Sequence, residues 1–290
     1  MTQNRGIIVA GMGALGRALA VAIHEKTGRL SAVVTSSQKH ASYFNNLNIA
    51  VLNSIESIDP ATGSILFLTV PDDKIEETAR KCSLIENVDW KKVLAVHCSG
   101  SLTSGSLNPL KQRGAETAAF HPLQTFRKGD GSERFEHIYF TAEGSSSSMF
   151  TLSDIAEELG AEAVGISKGQ KQKLHLAAVF ASNYMVAILD AAEQSAKSDE
   201  VPEPLQMLRP LMEQTLQNVL QNGPANSLSG PVFRGDSETI KRHLATAGVS
   251  EEVRRLYRSA SLYLLSMLEE KEQQKTGWKE IRTILENESK

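Results

Sequence analysis

The sequence predicts an α/β fold: an N-terminal domain built on a mostly parallel sheet, followed by an all-helical C-terminal domain. Three observations carry this expectation. Short apolar runs alternate with helical periodicity through the first half of the chain. A glycine motif separates the first such run from the first helical pattern. Beyond about Ile166 no convincing strand pattern returns and helical patterns take over. The expected division is therefore 1–166 for the nucleotide domain and 167–290 for a helical substrate or dimerisation domain.

Gly6 to Ala10 reads as a compact strand, and Ala14 to Lys26 as a helix with Leu15, Leu19, Ala22 and Ile23 on one face. Further strands are expected at Ser31 to Thr35, Ser64 to Val70, Val93 to Val96 and Thr117 to Phe120, with Ile138 to Thr141 as another candidate. The serine run Gly144–Ser148 reads as a loop inside the first domain. Gln170 to Ala196 is one long helical pattern without proline or glycine, broken by Pro202 and Pro204. Helical patterns return at Leu205 to Gln221, Glu238 to Ala247 and Ser250 to Lys271.

Composition excludes several functions. The two signs of charge nearly cancel, to a formal −3, so bulk basic charge cannot drive nucleic-acid binding and no acidic disordered tail is present. Two cysteines, Cys82 and Cys98, supply neither a disulfide framework nor a structural zinc site, so no metal is expected; reduced thiols point to a cytoplasmic home. No apolar run is expected to reach the ~20 residues that cross a bilayer. Gly11, Gly13 and Gly16 interrupt the apolar N-terminus, so it reads as mature protein with no membrane role.

Gly11-Met12-Gly13-Ala14-Leu15-Gly16 is GxGxxG between a strand and a helix. Gly11 allows a tight turn, Gly13 admits a pyrophosphate to the backbone, and Gly16 lets helix and strand pack closely. The unpaired amides and dipole of the helix N-terminus then hold the phosphates. NAD-binding folds place Asp or Glu at the end of the second strand to grip the ribose 2′-hydroxyl. Here that segment is Thr35-Ser36-Ser37-Gln38-Lys39-His40, with no acid. Ser36, Ser37, Lys39 and the nearby Arg17 suit a 2′-phosphate, so NADP is expected over NAD. Ser36 and Ser37 can equally cap the next helix. Val70 and Pro71, after an apolar strand, either lie against the cofactor or simply start a helix.

Candidate reaction residues cluster at two further strand ends and on the long helix. Ser99, in HCSGSL at 97–102, could reach a substrate oxygen, although Ser-Gly-Ser is also ordinary loop chemistry. His121, with Gln124, is stranded among aromatic residues in FHPLQTF at 120–126; its other role would be a bond to a backbone carbonyl. At 100° per residue, Lys171, His175 and Ser182 fall within about 40° of one another and Asn183 about 80° from His175. A polar stripe on an apolar helix either lines a site or faces water. Arg234, in SGPVFRGD at 229–236, could fork onto a carboxylate or pair with Asp236 or Glu238; Asp236 or Ser237 could cap the helix that follows.

These motifs, with KLHLAAVFASNY at 173–184, resemble the Rossmann-like oxidoreductases that carry a DUF2520 C-terminal domain, over nearly the whole chain. That group is similar in layout to ketopantoate reductase, prephenate dehydrogenase and the β-hydroxyacid dehydrogenases. The resemblance implies a site in the cleft between the two domains. Matching Asn183-Tyr184-Met185-Val186-Ala187 to the Asn-Pro-Leu-Thr-Ala stretch of ketopantoate reductases puts His175 at their catalytic lysine. The next asparagine of that family falls on Val179, so the pattern departs there, and the implied proton donor is an imidazole rather than an ammonium. The segment at 120–126 is similar to the His-Pro-Met segment of prephenate dehydrogenases.

The expectation is an NADPH-dependent reductase of a small 2-keto acid, ketopantoate to pantoate, in pantothenate synthesis. His175 would be the proton donor, Asn183 and Ser99 would position the substrate hydroxyl, and Arg234 would anchor its carboxylate. The alternatives are oxidation of a hydroxy acid or prephenate-like compound with His121 as base, and a non-catalytic NADP-binding sensor or scaffold. A homodimer through the helical domain is expected. Leu256, Leu262, Leu264, Leu265, Met267 and Leu268 could serve it or fill the domain's own core.

Overall fold

The structure is a computed structural model, and it describes residues 5–59, 64–197, 201–270 and 276–287. The chain forms two compact units, Met1–Ser182 and Asn183–Lys290.

The first unit is built on an eight-stranded sheet in the order β3-β2-β1-β4-β5-β6-β7-β8. The strands are β1 Ile7–Ala10, β2 Leu30–Val34, β3 Ala50–Leu52, β4 Ile65–Leu68, β5 Leu94–His97, β6 Glu116–Pro122, β7 Tyr139–Glu143 and β8 Glu162–Gly165. β1 to β6 run parallel; β7 is antiparallel to β6 and β8 parallel to β7. The helices are α1 Ala14–Thr27, α2 Gln38–Asn46, α3 Asp72–Ser83, α4 Asn108–Gln112, α5 Ser146–Glu158 and α6 Lys168–Val179.

A parallel strand covered on both faces must be apolar at every position, and IIVA in β1 and ILFL in β4 are. Ile7, Val9 and Phe67 point into one core with Leu19 of α1 and Leu152 of α5. Ile8, Ala10 and Leu66 point into the other with Ile75 of α3 and Leu110 of α4. The rings of Phe120 and Phe140 stack at 4.1 Å across the antiparallel β6–β7 pair.

Four features differ from the sequence expectation. β3 and β8 are added edge strands, three and four residues long, too short to show a period. The serine run is the start of α5 rather than a loop: Ser145 is its N-cap and accepts a bond from the Ser148 amide at 3.2 Å. The long helical pattern is interrupted by a π-helical turn, Phe180–Tyr184. The compact units divide after Ser182 rather than near 166, because the start of α6 is tied to the sheet through Lys171.

The second unit contains α7 Met185–Lys197, α8 Pro204–Asn222, α9 Pro224–Ser227, α10 Pro231–Arg234, α11 Ser237–Leu244, α12 Glu251–Glu269 and α13 Thr276–Glu286. Its core gathers Val232, Ile240, Leu265, Leu268 and Trp278, with the indole donating to the Val232 carbonyl at 3.0 Å. Leu262 and Leu264 pack against that core, so α12 spends much of its apolar surface there. No residue of α7 is buried, and α7 and α8 expose Val186, Met207, Leu211 and Leu220. The helical stretch Lys168–Lys197 is long and apolar enough to cross a membrane by length and composition alone, against the expectation that no such run exists.

Candidate functional site

In an open parallel sheet, ligands bind outside the carboxyl ends of the strands, where the loops leave backbone groups unpaired. The glycine turn leaves β1 at that edge. Gly11 has φ of +104°, and a Cβ there would sit 2.9 Å from the backbone of Thr69 and Val70. A Cβ on Gly16 would overlap the Gly11 carbonyl and the Thr69 hydroxyl. Gly13, the N-cap of α1, has nothing within 4 Å of where a Cβ would lie. The three glycines thus meet the three separate demands of a pyrophosphate turn: a left-handed bend, an open approach and close packing. Ala14 and Leu15 open α1, Leu15 packs on the core, and no acid stands in the first turn to repel a phosphate.

A cleft of about 410 Å³ adjoins this turn, lined by Gly11, Met12, Ser36, Glu56 and Val70 among others. Pro71 is the N-cap of α3, so this segment starts a helix and also presents Val70 to the cleft. Ser37 holds the N-cap position of α2, but its hydroxyl caps no amide. Its own amide donates to the Thr35 hydroxyl at 3.1 Å. Lys39 is exposed in the first turn of α2. Arg17 lies over the Tyr43 ring, 4.9 Å from its centroid, and donates to the Asp130 carbonyl at 3.1 Å.

A second constellation occupies the ends of β5 and β6. His97, fully buried, accepts from the Ser99 amide at Nδ1, so its proton sits on Nε2 and is donated to the Thr103 carbonyl at 2.9 Å. Ser99 Oγ donates to Asp72 at 2.7 Å and accepts from the amides of Ser101 and Leu102. Ser101 Oγ also donates to Asp72, at 2.8 Å. Glu143, on β7, accepts from the amide and hydroxyl of Ser104. These bonds pin the side chains of His97, Ser99 and Ser101 and make the loop a floor for the site.

Onto that floor reaches Lys171 of α6. It is 2% exposed, and its Nζ donates to the Ser99 carbonyl at 2.7 Å. Burial holds its ammonium below the ordinary 10.5, opposed by Glu143, Cys98 and Asp72. One turn on, His175 faces His121 edge-on, with ring centroids 5.9 Å apart. Gly100 makes room for the pair: a Cβ there would overlap His175 Nδ1 and lie 2.9 Å from His121 Nε2. His175 Nδ1 is buried and unpaired among the described residues. Burial pushes His121 down to about 4, and the charges of Lys171 and His175 act in the same direction, so His121 is neutral near pH 7. Burial pushes the Cys98 thiol up to about 12, which removes it as a nucleophile.

The structure therefore brings Ser99, His121 and His175 together. Asn183 and Arg234 lie in the second unit. Arg234 is exposed, with Nη2 4.0 Å from Asp236, while Asp236 caps α11 through the Thr239 amide. The π-helical turn advances each residue by a smaller angle than 100°, so the uniform projection from His175 does not hold across Phe180–Tyr184. The Ser182 hydroxyl is bonded back to the Ala178 carbonyl at 2.6 Å. Sequence reasoning placed Lys171 on the stripe without assigning it to the site, and passed over Asp72 and Glu143. The available signal was a lysine one helical turn before His175, on the same face.

Fold and geometry together define a doubly wound α/β nucleotide-binding protein whose carboxyl-end edge carries a buried titratable cluster. A Rossmann-like domain model matches residues 2–122, and the domain of unknown function DUF2520 matches residues 138–264. The chain belongs to the Rossmann-like proteins with a DUF2520 domain. No curated protein matches it. Among solved structures it is similar to a candidate NADP oxidoreductase of Bacteroides fragilis, at 24% identity over 91% of this chain and 99% of that one, with a TM-score of 0.77. Protein TM1727 of Thermotoga maritima shares 23% identity, covering 92% and 100%, with a TM-score of 0.69. An imine reductase of Myxococcus stipitatus in complex with NADP+ shares 16% identity, covering 91% and 93%, with a TM-score of 0.65. At these identities the likeness establishes the fold.

Proposed function

We propose that the protein is an NADPH-dependent oxidoreductase that reduces the C=O group of a small 2-keto acid, with ketopantoate as the first candidate. The observation that carries this reading is the His121–His175 pair beside the buried Lys171, at the same sheet edge as a glycine turn that fits a pyrophosphate. The NADP oxidoreductase and imine reductase similar in fold support the cofactor. Bound NADPH supplies the hydride.

The chain's own residues do the rest. His175, beside His121 at the sheet edge, donates the proton to the developing alkoxide. Lys171 adds a buried positive charge that favours negative charge on that oxygen. Ser99 acts through the loop it pins, because its hydroxyl is committed to Asp72. Asn183 and Arg234 are proposed to hold the substrate's oxygen and carboxylate.

The test is NADPH consumption over a panel of 2-keto acids that includes ketopantoate. Turnover is expected, and His175→Ala should reduce it by about 10²–10⁴-fold at saturating substrate. Tight NADPH binding with no turnover on any keto acid would replace this reading with that of a sensor.

The reverse reaction is favoured by one observation: His121 stands edge-on to His175 at the end of β6, and its imidazole, kept neutral by burial, is free to accept a proton from a hydroxy acid. NADP+ reduction on hydroxy acids, abolished by His121→Phe and not by His175→Ala, would favour that direction. The apolar face left open on α7 and α8 suits a second copy of the chain, read out by sedimentation. The buried reduced thiols Cys82 and Cys98 suit a cytoplasmic setting.

A further inference from the structure

We propose that His40 and Lys128 complete the phosphate-reading end of the dinucleotide site, and that His40 couples NADPH affinity to pH. This rests on the NADP reading above and extends it to two residues outside the glycine turn and the Ser-Ser segment.

His40 sits in the first turn of α2, three residues after Ser37, and the segment just before that helix, Val34 to Ser36, lines the cleft. Its Nδ1 is buried and has no hydrogen-bond partner among the described residues. Such a nitrogen costs free energy until something bonds it. Three cations bear on the ring: Arg17 from α1, Lys39 from its own helix, and Lys128 from the segment joining β6 to β7. Among the described residues, no carboxylate is among the charges that bear on it.

The cluster is held by identifiable contacts. Arg17 is clamped between the Tyr43 ring and the Asp130 carbonyl, so α1, α2 and the Lys128 segment meet at one point. The Asp130 carboxylate is turned to its own segment, accepting from the Arg127 amide at 2.7 Å and pairing with Arg134 at 3.3 Å. Like charges gathered without an acid repel one another unless an anion is present. The uncapped Ser37 hydroxyl and a helix start free of acids add donors there. A phosphate dianion matches this set, and the 2′-phosphate is the group that separates NADPH from NADH.

The sign of the coupling follows. Burial first, then Arg17, Lys39 and Lys128, hold His40 below its usual 6.5, so it is neutral near pH 7. A phosphate dianion beside the ring offsets the three cations and favours the imidazolium. NADPH binding therefore takes up a proton, and the preference for NADPH over NADH rises as the pH falls.

The experiment measures dissociation constants of the full chain for NADPH and NADH between about pH 6 and pH 8, by calorimetry in buffers of different ionisation heat. Lys128→Ala should weaken NADPH about fivefold and leave NADH unchanged. His40→Asn should flatten the pH dependence of the NADPH-to-NADH ratio and abolish the proton uptake. Equal effects of either substitution on both cofactors, or NADPH binding without proton uptake, would overturn the proposal while leaving the cofactor reading intact. Failure of both dinucleotides to bind would overturn the two together.

Discussion

The glycine turn and the Lys171 cluster lie along the same sheet edge and work by opposite means. The turn is six contiguous residues, and its chemistry comes from oriented backbone amides and from side chains that are not there. The cluster is gathered from α3, the loop after β5, β6, β7 and α6, and its chemistry comes from charges that set one another's protonation. A change in the turn should alter whether a dinucleotide binds. A change in the cluster should alter the proton step and its pH dependence while binding survives.

The largest effect that separates the two belongs to Lys171. Lys171→Met keeps the stem and removes the charge. Turnover should fall by about 10²–10³-fold, as when a preorganised electrostatic donor is removed. Removing a buried ammonium is favourable but leaves the Ser99 carbonyl unpaired, and the two effects oppose, so the melting temperature should change little. NADPH affinity should not move. Wild-type turnover with a lowered melting temperature would mean that Lys171 only fastens α6 to the sheet, and the contrast between the two regions would collapse.

Two glycines sharpen the comparison at an intermediate size. Gly16→Ala presses on backbone, the Gly11 carbonyl, which cannot rotate away. It should cost about 1–3 kcal/mol of stability and weaken the dinucleotide about tenfold. Gly100→Ala presses on the tips of His121 and His175, which can shift. It should leave NADPH affinity unchanged and slow turnover by roughly 10–100-fold, because small misplacements of reacting groups are costly. Binding titrations and steady-state kinetics on both variants decide this. A Gly100→Ala enzyme that loses NADPH instead would merge the two regions into one.

The same contrast explains how much was legible in the sequence. The turn is readable because each glycine answers a local backbone demand within six residues, next to apolar strands that announce themselves. Lys171 is visible only as one polar residue on a helix face; its burial depends on Ser99, 72 positions away, and on Glu143 across the sheet. Asp72 reads as an ordinary first-turn acid, and its second role, receiving Ser99 and Ser101, is set by the fold. The π-helical turn has no proline or glycine to mark it, so nothing in the sequence shows that a uniform 100° step fails over Phe180–Tyr184. Val164 of β8, 45% exposed, shows why edge strands of a few residues leave no burial pattern to read.

Asp72 gives the smallest effect and the finest probe of whether the cluster's charges are coupled. Its carboxylate opposes the lowering of both Lys171 and His121. Asp72→Asn keeps the shape and can still accept from Ser99 and Ser101, so the fold should hold. Without the negative charge the Lys171 ammonium is easier to deprotonate and its pKa falls further below 10.5. Turnover that needs the ammonium is lost as pH rises through that pKa, so the basic limb of the pH–rate profile should move to lower pH. At neutral pH the rate should change by only a few-fold, in line with the modest size of a screened charge interaction. A basic limb that stays in place would mean that the Lys171 ammonium does not titrate in the observed step.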